Sequence, residues 1–316
     1  MVFYVYLQST VINDAAAAGP HGMQNLISIL RGFLQNCCLA EFWDDRTRTE
    51  IKTAVDDMPE DFDRAALKKV LTQLAKLNRF AYCLEPDYAG GRPDLECVLD
   101  QANTALLQLI IVGEDERDRP PPADTELAAL STYQHTIFEE TRSALSSDGR
   151  TTAAGALDEG VFLDEHFLRA LRHSGKIEFC DRLAGTRFGD NYRHTIRALM
   201  TWLATALADP GACSIVFHFG EADGKKPAYI KGEISGYRAA GALATTPTEI
   251  RYYHTDMPHQ RFILTDQFAI EIDRGLDFLD RATHRNRDVS VNTKSHSETS
   301  KLLAAYAGNL AGTEVL

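Results

Sequence analysis

The sequence predicts an α/β protein of two domains, and three observations favour this fold class. Residues 1–145 alternate short apolar segments with amphipathic ones, residues 146–155 are rich in Gly, Ser and Thr, and a second series of strands and helices begins near residue 161. At 316 residues the chain is long enough for two domains that each bury a core. We expect a Rossmann-like α/β domain at 1–145, a linker at 146–160 and a second domain at 161–316.

Hydrophobic periodicity predicts the elements of the first domain. Short apolar runs indicate buried strands at residues 3–7, 79–84 and 106–112. Helical spacing predicts helices at residues 23–39, 64–77, 94–105 and 125–144, while the three prolines at 120–122 exclude a helix across them. This alternation of strands and helices is typical of a three-layer Rossmann-like domain.

The second domain has its own pattern of elements. Strands are predicted at residues 176–180, 213–219, 249–254, 261–265 and 268–272, and the last two lie so close together that we expect a hairpin. Helices are predicted at residues 164–173, 191–208 and 297–310, and the segment 228–244 is left open. These elements predict a mixed sheet flanked by helices.

The net charge of −12 is unevenly distributed along the chain. Residues 1–150 carry 24 Asp and Glu against 14 Lys and Arg, whereas residues 151–316 carry 21 against 19. An acidic surface repels phosphate backbones, so we do not expect the whole surface to bind nucleic acid. An anionic substrate therefore needs a local basic pocket, and the nearly neutral second half is the better place for one.

Several features predict a cytoplasmic protein without metal or cofactor. The six cysteines are scattered and have no zinc-ligand spacing, which is typical of reduced, buried thiols. The amino terminus has no basic lead-in or cleavage site for secretion, and the longest apolar run, 105–112, is too short to cross a bilayer. We therefore expect no transmembrane segment.

The segment 259–266 carries the residues that predict a reaction. His259, Arg261 and Asp266 have the spacing HxRxxxxD. Side chains two positions apart on a strand point to the same face, so His259 and Arg261 are expected to line one pocket. The carboxylate of Asp266, beyond the strand end, is expected to turn back to a neighbouring imidazole. An arginine in this place binds phosphate as a bidentate fork.

This segment resembles the HxKxxxxD motif of phospholipase-D-type phosphodiesterases. The longer run HQRFILTDQFAIEIDRGLDFL is similar to the phospholipase-D-like domain at the carboxy terminus of MIT-domain proteins and to related bacterial domains, which share its Arg-Gly-Leu-Asp run at 274–277. KIEFCD at 176–181 and VSVNTKSHSETSKLLAAY at 289–306 match the first strand, the last strand and the closing helix of that family. The resemblance covers residues 161–316 and leaves residues 1–150 unexplained.

The resemblance implies a function and a set of site residues. His259 would be the nucleophile, Arg261 the phosphate clamp and Asp266 the orienting carboxylate of a metal-independent phosphodiesterase, most plausibly a nuclease of bacterial anti-phage defence. The second imidazole that protonates the leaving oxygen would come from a homodimer or from the same chain. Supporting candidates are Asp181, Arg187, Arg274, His218, His254 and Glu298, each of which could equally be a structural or solvated residue.

Two alternatives remain open from the sequence. The Gly-Ser-x-Asn of catalytic relatives is replaced by Asp-Arg-Gly-Leu at 273–276, and the eukaryotic domains bind phospholipids, so the second domain could be a binding module for a phosphate, lipid or nucleic acid. The first domain could instead be a PIN-like, metal-dependent nuclease, because acidic residues at strand ends hold divalent metal in such folds. Candidates there are Asp14, Asp94, Glu114 and Asp115, which could also be ordinary loop acids.

Overall fold

The structure is a computed structural model, and it describes residues 2–59, 62–88, 90–147, 150–152, 158–221, 226–241, 243–254, 259–279 and 288–316. The chain divides into two compact units, Val2–Ser147 and Asp148–Leu316. Each unit has a sheet of its own, and the chain is of the α/β class that the sequence predicts.

The first unit is built on a parallel sheet. Its strands are β1 (Phe3–Leu7), β2 (Cys37–Phe42), β3 (Phe80–Leu84), β4 (Leu107–Val112) and β5 (Glu126–Ala129). Its helices are α1 (Thr10–Ala17), α2 (Gly19–Asn36), α3 (Arg46–Asp56), α4 (Phe62–Lys76), α5 (Asp94–Gln101) and α6 (Ile137–Ser147). The strand order is β3–β2–β1–β4–β5, with every neighbouring pair parallel.

The central strands of this sheet are buried on both faces. All five residues of β1 and all six of β2 are buried, which is typical of parallel strands covered by helices on both faces. β1 is the central strand. The chain adds β2 and β3 on one side of it and then returns to add β4 and β5 on the other side. The predictions for β1, β3 and β4 agree with these strands to within one residue.

Two predictions for the first unit were wrong. The helix expected at residues 23–39 ends at Asn36, and Cys37 begins β2. The helix expected at 125–144 is the strand β5 followed, after a short connection, by α6. β2 follows α2 without a break and β5 is only four residues long, and periodicity cannot separate a short buried strand from a helix.

The second unit has an eight-stranded mixed sheet. Its strands are β6 (Arg150–Thr152), β7 (Lys176–Asp181), β8 (Ser214–Gly220), β9 (Thr248–Tyr253), β10 (Phe262–Thr265), β11 (Ala269–Ile272), β12 (Val289–Lys294) and β13 (Leu310–Val315). Its helices are α7 (Glu159–Leu163), a π-helical turn (Asp164–Leu168), α8 (Arg169–Leu171), α9 (Asp190–Ala206), α10 (Lys226–Ala239) and α11 (His296–Ala305).

The direction of the strands defines two ends of this sheet. The order is β13–β9–β8–β7–β10–β11–β12–β6, and β7, β8 and β9 are parallel. β10 is antiparallel to β7, with Phe262 opposite Cys180, so β10 begins where β7 ends. We call the end of the sheet formed by Asp181, Gly220, Tyr253 and the start of β10 the carboxyl edge.

The two faces of the sheet are covered by different helices. Cys180 and Phe262 point to the same face, because directly paired residues do, and Leu302 and Tyr306 at the end of α11 pack against them. Tyr252 points to the other face, where its hydroxyl donates to the carbonyl oxygen of Pro227 in α10 at 3.5 Å. Asp181, which follows Cys180, points to this second face as well.

Three details of the second unit differ from the sequence predictions. The helix expected at 297–310 ends at Ala305, and residues 310–315 form the additional edge strand β13. The segment left open at 228–244 is mostly covered by α10, which begins at Lys226 and ends at Ala239. Within the predicted linker 146–160, residues 150–152 form β6 and pair with β12, while residues 148–149 and 153–157 lie outside the described residues.

The described helices and the cysteines have two further features. Within the described ranges, no helix combines the length and the apolar character that a bilayer span requires. All six cysteines are free thiols, and five of them are buried.

Burial of His173 makes the stability of the protein depend on pH. Burial and, to a smaller extent, the charge of Arg172 lower the pKa of His173 to about 4. The unfolded chain takes up this proton near its ordinary pKa of about 6.5, whereas the folded chain does not, so stability is full above about pH 6.5 and falls as the pH drops towards 4. Urea denaturation should show that His173→Gln loses about 2–3 kcal/mol less than the wild type between about pH 7 and about pH 4.5. Equal losses in the two proteins would contradict this assignment.

Candidate functional site

The carboxyl edge of the second sheet brings together the first two residues of the HxRxxxxD segment. Ligands of open α/β sheets usually bind beyond the carboxyl ends of the parallel strands. His259 and Arg261 immediately precede β10, and β10 runs antiparallel to β7, so both residues lie at this edge beside Asp181.

His259 is exposed and contacts an arginine that follows β7. Its Nε2 lies 3.1 Å from Nη1 of Arg182. A guanidinium has only donors, so a hydrogen bond between these two groups requires Nε2 to accept, which is the tautomer with the ring proton on Nδ1. In that tautomer Nε2 carries the lone pair that a nucleophile needs.

Arg261 is held between a carboxylate and a backbone carbonyl. Its Nε lies 3.8 Å from Oδ1 of Asp181, and its Nη1 donates to the carbonyl oxygen of Asp273 at 2.9 Å. A quarter of the Arg261 side chain is exposed, whereas that of Asp181 is fully buried. Nε and Nη1 of Arg261 are thus held by protein groups, while part of the side chain remains exposed at the carboxyl edge.

Asp181 is the buried centre of this arrangement. Its two oxygens accept hydrogen bonds of 2.8 Å from the backbone N–H groups of Leu183 and Leu276. Burial raises the pKa of Asp181, while these hydrogen bonds and Arg261 oppose the rise. Burial and the charge of Asp181 also raise the pKa of Tyr192, which hydrogen-bonds to this carboxylate. Asp181 therefore ties together the turn after β7, the segment after β11 and Arg261.

Gly275 allows the segment after β11 to approach Asp181. Its φ of +73° lies in the left-handed region, which side chains with a Cβ rarely adopt. A Cβ at this position would overlap Oδ2 of Asp181 and Cδ of Arg261. The Arg-Gly-Leu-Asp run at 274–277 thus has a local reason for its glycine, since the next residue must donate to Asp181.

The turn after β7 packs closely against the end of β8. The N–H of Gly220 donates to the carbonyl oxygen of Arg182 at 3.1 Å. A Cβ at Gly220 would overlap the same carbonyl. This contact holds the backbone of Arg182, the residue that contacts His259, against the end of β8.

Asp266 lies at the other end of β10 from His259. At about 3.3 Å of rise per residue, it is about 16 Å along the strand from Arg261. Its Oδ2 accepts from the N–H of Gly175 at 3.3 Å, and burial raises its pKa. The imidazole that interacts with it is His296, whose Nε2 lies 2.8 Å from the carbonyl oxygen of Thr265. The expectation that Asp266 turns back to an imidazole of the site is therefore not met at His259.

Glu298 lies at the same end of the sheet as Asp266. It is in the first turn of α11, where its N–H donates to the side chain of Ser295 at 3.4 Å. α11 follows β12, whose last residue, Lys294, pairs with Ala269 just beyond the hairpin turn. Glu298 therefore lies apart from His259, and its place fits a charge at a helix terminus.

His218 and His254, the two other histidine candidates, have different surroundings. His218 is buried and points to the face opposite to that of Asp181, since it pairs with Cys180. Its Nδ1 lies 2.9 Å from the Tyr253 hydroxyl and its Nε2 3.1 Å from Oε1 of Glu178. Burial lowers the pKa of His218. These contacts describe a structural histidine.

His254 follows β9 at the carboxyl edge and is exposed. Its Nδ1 lies 3.1 Å from Oε2 of Glu221, the residue after β8. The two remaining basic candidates are also near this edge, since Arg187 is an exposed residue of the turn after β7 and Arg274 is a half-buried residue after β11. Residues 255–258, between His254 and His259, lie outside the described residues.

Sequence reasoning gave no site role to four residues of this edge, Arg182, Tyr192, Glu221 and Gly275, although Gly275 belongs to the run that carries the resemblance. Arg182 directly follows the strand that ends in Asp181, and a basic residue at that place was a usable signal. The contact between Tyr192 and Asp181, and the pairing of Glu221 with His254, depend on tertiary structure and leave no local pattern.

The acidic candidates of the first unit are divided between two places. The N–H of Glu114, in the loop with Asp115 after β4, donates to Oδ2 of Asp14 at 2.8 Å. Asp94 instead pairs with Nη1 of Arg46 at 2.6 Å. In the portion of the chain that the structure describes, no group of three His, Cys, Asp or Glu side chains could hold a metal ion.

Comparisons with known proteins add little to this geometry. No protein-family model matches the chain, and no curated protein matches it. Among solved structures it is similar to TrmBL2, an archaeal chromatin protein with a novel mode of DNA binding, at 12% identity over 79% of this chain and 81% of that one. The TM-score of 0.25 is too low to support an argument about fold or function.

Proposed function

We propose that the carboxyl edge of the second unit binds a phosphodiester, and that the protein is a phospholipase-D-like phosphodiesterase with His259 as nucleophile. The observation that carries this proposal is the exposed imidazole of His259, whose Nε2 lies 3.1 Å from Nη1 of Arg182 at the same edge of the sheet that holds Arg261. Two cations at the edge that presents an imidazole match the needs of attack on a negatively charged phosphorus centre.

The reaction follows from the groups at this edge. Arg182 and Arg261 bind the non-bridging oxygens, and in doing so Arg182 leaves Nε2 of His259. Nε2 then forms a bond to phosphorus, and the bond from phosphorus to the leaving oxygen breaks, with its electron pair on that oxygen. Water displaces the histidine in a second step, in which an O–P bond forms, the N–P bond breaks and the proton of water passes to a base.

The leaving oxygen needs a proton donor. Within the chain, His254 is at the same edge, where its Nδ1 lies 3.1 Å from Oε2 of Glu221, and a histidine can serve as a general acid. In a symmetric homodimer, the partner's His259 would serve instead. Hydrolysis of an alkyl diester distinguishes these two proton donors. Wild-type protein is mixed with an excess of inactive His259→Ala, so that most wild-type chains have a mutant partner. The rate per wild-type chain falls only if the partner supplies the proton.

Hydrolysis in the presence of EDTA tests the proposed function. Wild-type protein should release 4-nitrophenol from bis(4-nitrophenyl) phosphate, and product from a labelled oligonucleotide, without any divalent metal. Absence of product from both substrates, or a reaction that EDTA abolishes, would refute the mechanism.

A second candidate function is phosphate binding without turnover. It is favoured by the position of Asp266, since no carboxylate contacts His259 within the described residues. This candidate and the first share the same pocket, so both predict affinity for inorganic phosphate. They differ in product formation alone, which the hydrolysis experiment measures.

Arg261 and Asp266 should differ sharply in phosphate affinity. Arg261→Ala removes a charged donor at the carboxyl edge and should weaken binding of inorganic phosphate by about tenfold or more. Asp266→Asn changes the opposite end of β10 and should leave the affinity unchanged. Isothermal titration calorimetry on both variants measures this, and an equal loss in the two would show that the motif acts as a unit.

The biological setting is also a proposal. The resemblance to bacterial phospholipase-D-like domains supports a nuclease of anti-phage defence, and the six free cysteines support a cytoplasmic location. A metal-dependent nuclease in the first unit has no support from the described acidic residues.

A further inference from the structure

The turn after β7 connects the phosphate-binding residues to a pair of aromatic rings. Arg182, which contacts His259, lies at the start of this turn, and Phe188 lies near its end. The ring of Phe188 meets that of Tyr229 in α10, with centroids 6.1 Å apart and the planes at 86°. Tyr229 is 45% exposed and Phe188 is half-buried, so the pair faces solvent on the side of the carboxyl edge.

Cationic side chains surround this pair. Nη1 of Arg193 donates to the Tyr229 hydroxyl at 2.9 Å, and Nζ of Lys226 donates to the carbonyl oxygen of Thr186 at 3.0 Å. Arg187 precedes Phe188 and is exposed. Two carboxylates moderate this charge, since Asp190 pairs with Arg193 and Glu233 lies near it. The cations Arg187, Arg193 and Lys226 outnumber these two carboxylates, so the surface is locally basic although residues 151–316 are nearly neutral overall.

We infer that Phe188 and Tyr229 form a base-stacking subsite, and that the phosphodiester bound beside His259 and Arg261 belongs to single-stranded nucleic acid. Exposed aromatic rings beside arginine and lysine are what proteins use to hold unpaired bases, because every base offers a π-face while the cations follow the backbone. Bases in a duplex are already stacked and cannot reach the rings. The inference rests on the proposed function, since it names the substrate class of the same site.

Binding of two oligomers to the full-length wild-type protein tests the inference without any mutation. The probes are a fluorescein-labelled oligothymidylate and an abasic oligomer of the same length and charge, compared by fluorescence anisotropy in EDTA. The abasic oligomer should bind about tenfold more weakly, because it lacks stacking. Equal affinity for the two would overturn the inference.

Variants locate the effect on the rings. Tyr229→Ala should weaken binding of oligothymidylate about tenfold, Tyr229→Phe should bind like wild type, and the abasic oligomer should not distinguish the three proteins. Tyr88→Ala is the matched control, since Tyr88 is an exposed tyrosine of the first unit, and it should change nothing. Loss of binding to phosphatidylglycerol vesicles in Tyr229→Ala, with oligothymidylate binding intact, would assign the rings to a lipid surface and overturn the inference.

Different results would refute the stacking subsite and the proposed reaction at His259. If bis(4-nitrophenyl) phosphate is hydrolysed and inorganic phosphate binds, but bases add no affinity, only the stacking subsite is refuted. If neither the diester nor phosphate is recognised while oligothymidylate still binds through Tyr229, the proposed reaction at His259 is refuted and the rings bind nucleic acid independently of it.

Discussion

Replacing His259 with alanine should slow hydrolysis of bis(4-nitrophenyl) phosphate in EDTA by about a thousandfold or more. The described residues provide no second nucleophile in contact with Arg182, and the hydroxyl of Tyr192 is held to buried Asp181. Phosphate affinity should fall much less, since Arg182 and Arg261 remain. The measurement is the release of 4-nitrophenol, with phosphate affinity measured in parallel.

Two further histidine variants sharpen this experiment. His135→Ala removes an exposed histidine of the first unit and should hydrolyse like wild type. His254→Ala should slow an alkyl diester strongly and the nitrophenyl diester little, because nitrophenolate leaves without a proton. Full activity in His259→Ala would rule out His259 as nucleophile, and equal slowing of both diesters in His254→Ala would rule out His254 as the proton donor.

Much of the fold could be predicted from the sequence because most strands and helices have a local hydrophobic pattern. β7, β8, β9 and the hairpin of β10 and β11 are apolar runs between turn residues, and the structure places them within two residues of the prediction. β2, β5 and β13 were missed for different reasons. β2 directly follows α2, β5 is only four residues long, and β13 is an edge strand with largely exposed residues, so no buried face marks it in the sequence.

The candidate site was only partly accessible for a geometric reason. A spacing of two residues beside a strand keeps His259 and Arg261 at the same end of β10. A spacing of five residues spans the whole of β10, so Asp266 reaches the opposite end of the sheet. Arg182 lies 77 residues before His259, and only the antiparallel pairing of β7 and β10 brings the two together. Local patterns thus identify residues on one strand, while their partners depend on the order of strands.

Gly275→Ala should be the most damaging small substitution at the carboxyl edge. The alanine would have to adopt a φ of +73°, and its Cβ would overlap a buried carboxylate and the stem of Arg261. Because Asp181 is held by two backbone N–H groups, it cannot move aside without breaking them. We expect a loss of about 3 kcal/mol or more in the free energy of unfolding, measured by urea denaturation.

Gly232→Ala is the matched control for this substitution. Gly232 lies inside α10 with open space around it, so the added methyl meets no atom and should stabilise the helix by about 0.5–1 kcal/mol. If Gly275→Ala folds with reduced stability, its affinity for inorganic phosphate should fall as well, because Asp181 and Arg261 share the displaced atoms. A variant that loses stability but keeps wild-type phosphate affinity would separate the Asp181 network from ligand binding. That result would leave Arg182 and His259 as the part of the edge that contacts phosphate.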